Sequence, residues 1–76
     1  EMNMSNIVDA RGLSCPQPVL ETLNAIAAMS GGSLEILVDT EASKENVCRA
    51  VQAKGWSLDS VTEDGGEYRI RISKGS

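Results

Sequence analysis

"SLEILVDTEASKENVCRAVQAKGW" (residues 33–56) changes its period partway, and that change decides the fold. Over residues 33–39, Leu34, Ile36 and Val38 alternate with Ser33 and Glu35, Leu37 being the one exception. A period of two marks a strand with one buried face. Beyond Asp39 the apolar residues fall at helical spacing. Ser43 is the expected N-cap, Glu45 and Asn46 stand in the first turn, Val47, Ala50 and Val51 form the apolar face, and Gly55 ends the helix. On the C-terminal side, "WSLDSVTE" (56–63) and "EYRIRIS" (67–73) are two alternating runs joined by "DGG" (64–66), a hairpin signal. On the N-terminal side, "NIVDA" (6–10) suits a short strand and "RGLS" a turn. From Pro18, the residues Val19, Leu20, Leu23, Ile26 and Ala27 then make a helical stripe. "SGG" (30–32) stops that helix, with Gly31 or Gly32 expected as its left-handed cap.

The predicted order is therefore β-α-β-α-β-β. A strand–helix–strand unit of this length implies parallel pairing. Two helices with one apolar stripe each pack on one face of a four-stranded mixed sheet, which is a two-layer α+β sandwich. The 76 residues read as a single domain, 1–76, with residues 1–4 expected to be frayed and the three residues ahead of Met4, a natural start, expected to be an addition.

Composition narrows the chemistry. With no His, the usual zinc sites, Ser–His and Cys–His pairs and an imidazole base are excluded. The net charge is −4 and the seven basic residues are dispersed, apart from Arg69 and Arg71 on one face of a strand, so direct nucleic-acid binding is disfavoured. The longest apolar run, "AIAAM", is too short to span a bilayer, and the N-terminus lacks the profile of a signal peptide. A cytoplasmic, monomeric protein without membrane contact is expected. Two cysteines in such a chain do not make a disulfide scaffold.

The chain has two prolines, and both lie within three positions of Cys15 in "LSCPQPVL" (13–20). Proline costs no hydrogen bond in the first turn of a helix, and Pro16 fixes φ near the helical value. Pro18 restrains Gln17, so the helix is expected to start properly at Pro18 with Cys-Pro-Gln as a stiff lead-in. The sulfur of Cys15 then lies near the positive end of the helix, which favours the thiolate over a thiol of pKa about 8.5. Arg11, four residues upstream, is a candidate for further support. The residues alone leave two readings open: an accessible nucleophile, or a small buried residue with prolines as punctuation.

"VDARGLSCPQPVL" resembles the Cys-Pro-x-Pro signature of the TusA/SirA/YedF family of small sulfur carriers, including the preceding Asp9, Gly12 and Leu13. Chain length, element order and the closing hairpin also fit, while Gln17 between the prolines and the absence of His depart from many tRNA-thiolation members and point to a YedF-like or uncharacterised branch. The resemblance implies strand order 1-2-4-3 and a persulfide carried on Cys15, with no bound cofactor and no metal. It names Pro16, Pro18, Gly12, Asp9 and Arg11 as supporting residues. It implies a cysteine desulfurase or rhodanese-like donor and a DsrE-like or other thiol acceptor. Pathways open to such proteins are tRNA thiolation, sulfur oxidation, molybdenum-cofactor synthesis and selenium metabolism.

Other residues receive plainer readings. Cys48, mid-helix beside the apolar stripe, is expected to pack at the core boundary rather than to resolve a disulfide. Asp9 is expected to cap backbone N–H groups around Gly12, because a nearby carboxylate opposes thiolate formation. Trp56 and Tyr68 are expected in the core or covering an edge. Two rivals to the carrier remain: a thiol redox protein, which lacks a Cys-x-x-Cys pair, and a non-catalytic module docking through the Cys-Pro-x-Pro loop.

Overall fold

Alternating residues along two central strands build the core. In the computed structural model, which describes residues 6–13, 17–29 and 31–75, six elements follow in order. They are β1 (Asn6–Asp9), α1 (Gln17–Ala27), β2 (Gly32–Val38), α2 (Glu41–Ala53), β3 (Ser57–Asp64) and β4 (Glu67–Lys74). The strands form one mixed sheet in the order β1-β2-β4-β3, with β1 parallel to β2 and the other two pairings antiparallel. Register sets Leu34 opposite Ile72, and Ile36 opposite Ile70. All four are buried beneath the helices, together with Val38, Val47 and Val51. Each such side chain contributes about 1.5–3 kcal/mol through the apolar surface it removes from water.

Among the described residues, the other face of the sheet carries no helix. Glu35 stands opposite Arg71 and diagonal to Arg69 there, and the two guanidiniums converge on its carboxylate at 4.0 and 2.6 Å. The alternation of "YRIRI" thus does put both arginines on one face. Leu37, the exception in the strand pattern, belongs to this outer face and is only half-buried.

The turns follow their sequences. Gly65 and Gly66 have φ of 62° and 87°, the two positive values a two-residue I′ hairpin needs. The end of α2 is a Schellman motif: the N–H of Gly55 donates to Gln52 O and that of Trp56 to Val51 O, with Gly55 at φ 87°. Trp56 is thereby drawn into the core, 5% exposed.

Three expectations need correction. The N-cap of α2 is Thr40, in extended conformation, whose Oγ1 accepts the N–H of Ser43 at 3.1 Å. Ser43 is instead a buried first-turn residue. Helix α1 ends at Ala27, where Ala28 and Met29 donate to the carbonyls three residues back and tighten the last turn. Gly31 and Gly32 come after it and do not cap it. The buried line of α1 is Pro18, Thr22 and Ile26, while Leu20 is 46% exposed and Ala27 lies outside. Thr22 is hidden because its hydroxyl donates to Pro18 O at 2.8 Å.

Candidate functional site: the connection from β1 to α1

Because β1 and β2 are parallel neighbours, their C-terminal ends lie together, and both strand-to-helix connections start from that end of the sheet. Ligands in α/β sheets gather at this end of the strands. Cys15, Pro16 and Ser14 lie outside the described residues. The residues leading to them are held one after another.

Asp9 closes β1. Its carboxylate accepts Arg11 Nε and Nη2, each at 2.8 Å, and the Arg11 backbone N–H at 3.2 Å. These side-chain and backbone bonds hold its pKa at about 2. Asp9 is thus ionised throughout the neutral range and carries no proton there. Ala10 is fully buried and extends the sheet pairing by donating to Leu37 O at 2.8 Å. Arg11 also reaches Glu67 at 3.1 Å, and its pKa is raised by the bonds to Asp9 and then Glu67. Its guanidinium therefore ties the connection to the start of β4, between two carboxylates.

Gly12 has φ 79°, a left-handed conformation that disfavours any side chain. Its N–H donates not to Asp9 but to Asp39 Oδ2, at 2.8 Å. Leu13 then packs against the core. Helix α1 starts at Gln17, one residue earlier than the proline spacing predicts, and Pro18 is fully buried in its first turn. No acidic residue stands in that turn, whereas the first turn of α2 carries Glu41.

Asp39 and Glu67 escaped the sequence reading. Asp39 directly follows a strand parallel to β1, a signal that identifies it once the two strands are known to be neighbours. Glu67 reads as one more hairpin acid and had no such signal.

The other cysteine is described in full. Cys48 lies half-buried on α2, packed against the core, and lines an open surface cavity together with Leu58 and Val61 of β3. Burial pushes its thiol pKa up, Lys44 opposes this, and Glu45 adds to it. Among the described residues no group of three or more acidic, Cys or His side chains is placed to hold a metal ion. Among the same residues, no helix is long and apolar enough to cross a membrane.

Comparison with known proteins agrees with this architecture. Residues 6–74 match the family model described as sulfurtransferase TusA. A putative sulfur carrier protein of Thermotoga maritima is 34% identical over 91% of this chain and 90% of its own. The sulfur carrier protein TusA of Allochromatium vinosum is 31% identical over 88% and 90% respectively. The crystal structure of a SirA-like protein from Desulfitobacterium hafniense superposes with a TM-score of 0.84 at 29% identity, covering 96% of this chain and all of the other. A chain that matches the family model almost from end to end, and superposes along nearly its whole length on the SirA-like structure, belongs to the TusA sulfurtransferase family of sulfur carriers.

Proposed function

We propose that this protein relays sulfane sulfur as a persulfide on Cys15, taking it from a donor protein and passing it to an acceptor thiol. The observation that carries this is the match of residues 6–74 to the sulfurtransferase family, with Cys15 standing in the Cys-Pro-x-Pro segment by which the sequence resembles that family. Cys48 is the weaker candidate on physical grounds, since a thiol whose pKa is raised by burial holds less of the nucleophilic thiolate.

In the first step the Cys15 thiolate attacks the terminal sulfur of a donor persulfide. A new S–S bond forms, the donor's S–S bond breaks, and the donor leaves as thiolate. In the second step an acceptor thiolate attacks the terminal sulfur now on Cys15, and Cys15 departs as thiolate. One sulfur atom moves in each step, with no net oxidation and no resident cofactor. The start of α1 suits an anion two residues upstream, because the helix dipole there is not offset by an acid in the first turn. With no His in the chain, the proton of the thiol leaves to solvent or to a group of the partner.

The test is intact mass after incubation with a cysteine desulfurase and cysteine, comparing wild type, Cys15→Ala and Cys48→Ala. One reductant-labile sulfur is expected on wild type and Cys48→Ala and none on Cys15→Ala. An adduct that survives Cys15→Ala and disappears in Cys48→Ala overturns the assignment.

A further inference from the structure

We propose that Asp39 is a positioning residue for sulfur transfer, its carboxylate fixing the segment that delivers Cys15; this rests on the reading of Cys15 as the carrier. Asp9 pairs with Leu37, so Asp39 stands as far beyond that pair as Arg11 does on the neighbouring strand. From there Asp39 Oδ2 accepts the N–H of Gly12 at 2.8 Å, across 27 positions of sequence. The bond is charge-assisted, the stronger kind for a backbone donor.

The neighbouring holds complete a clamp. Ala10 is tied to Leu37, Arg11 to Asp9 and Glu67, and Leu13 to the core. Gly12 sits in the middle of this run with a left-handed φ, and no atom lies within 4 Å of where a Cβ would project. Among the described residues nothing packs over that side of Gly12, and the polar bond to Asp39 holds it from the other. Two peptide links separate Leu13 from Cys15, and each spans about 3.8 Å between Cα atoms. A displacement at Gly12 therefore moves the point from which the chain delivers Cys15. Sulfur transfer between two proteins requires the attacking sulfur in line with the bond that breaks, and a misplacement of about 1 Å costs such a reaction up to about a hundredfold.

The experiment uses the full chain carrying Cys48→Ala, so that Cys15 is its one thiol. Into it are introduced Asp39→Ala, Asp39→Asn and, as a neighbour that does not touch Gly12, Thr40→Ala. Initial rates of persulfide loading from a cysteine desulfurase and cysteine are read by mass. Iodoacetamide alkylation of Cys15 is followed against pH, and thermal midpoints are measured.

Asp39→Ala is expected to load at least tenfold more slowly. Its alkylation rate and pH profile should stay within about twofold, because a small electrophile needs no alignment. Asp39→Asn, which keeps an oxygen acceptor, should load within about twofold of its parent. Thr40→Ala should melt earlier yet load normally. Normal loading by Asp39→Ala overturns the proposal. So does a parallel fall in alkylation, which would mean Asp39 acts on ionisation, or an Asn variant as slow as the Ala variant. If the parent itself takes up no sulfur, the reading of Cys15 fails and takes this proposal with it.

Discussion

The two strand-to-helix connections leave the same end of the sheet and are built in opposite ways. Between β2 and α2 stand only Asp39 and Thr40, and Thr40 caps the helix with its own hydroxyl. Glu41 in the first turn answers the positive end of the α2 dipole. Between β1 and α1 the chain runs from Ala10 to Pro16, too long to be fixed by a cap alone. Its described part, Ala10 to Leu13, is held by groups from elsewhere: Leu37 O, Asp39 and Glu67. The first turn of α1 carries no acid. The short connection thus supplies its helix with a cap and a first-turn acid of its own. The long one has no acid in the first turn of its helix, and its described part borrows Asp39 from its neighbour to stay in place.

The broadest way to stress this comparison is to weaken what lies under both connections. Ile36 is fully buried on β2, opposite Val8 on one side and Ile70 on the other. Ile36→Ala is expected to cost about 3 kcal/mol by the transfer and cavity contributions together, measured by urea unfolding. Amide exchange should speed up at Gly12 and at Ser43 alike. Retained protection at either one would mean that its connection does not depend on the shared core.

A smaller change should separate the connections. Thr40→Ala removes the cap of α2 and is expected to cost about 1 kcal/mol. Exchange should rise at the Ser43 amide, which loses its acceptor, and stay unchanged at Gly12, whose bond to Asp39 is intact. If Gly12 loses protection too, the connections form one cooperative unit and the contrast drawn above does not hold.

The same contrast explains what the sequence makes legible. Apolar pattern and turn signals together locate all six elements, both hairpin strands and the shared outer face of Arg69 and Arg71. One kind of error recurs. In each helix a small hydroxyl residue occupies the buried line at a spacing of four: Thr22 between Pro18 and Ile26, and Ser43 before Val47 and Val51. A pattern read by polarity turns such residues outward, which made Ser43 a cap and put Leu20 in the core. The hydroxyl of Thr22 is satisfied by the carbonyl one turn back, so local backbone bonding cancels the polarity that the pattern relies on. At the candidate site the supporting contacts join residues far apart in sequence. Asp39 to Gly12 and Glu67 to Arg11 become visible only when strand order is known. The part assigned to Cys15 came from motif resemblance, because neither period nor spacing reports how a thiol reacts.

The smallest expected effect concerns the long connection alone. Arg11→Ala removes the cation from Asp9 and the tie to Glu67, all three at exposed positions where ion pairs contribute little to stability. The thermal midpoint should therefore move less than in Thr40→Ala. The ionisation of Asp9 should move far more visibly. Its carboxyl is held at about 2 mainly by the Arg11 side chain, against an ordinary value of 3.8. Since the folded value is the lower one, the bond's contribution is fully present above pH 3.8 and is lost as pH falls through about 2. A carbon-detected titration of the Asp9 carboxyl should show a midpoint near 2 in the parent and a return toward 3.8 in Arg11→Ala. The Gly12 amide, bonded to Asp39 rather than to Asp9, should keep its protection in that variant. If it is lost, Arg11 and not Asp39 holds the end of the connection, and the clamp has its centre on the outer face of the sheet.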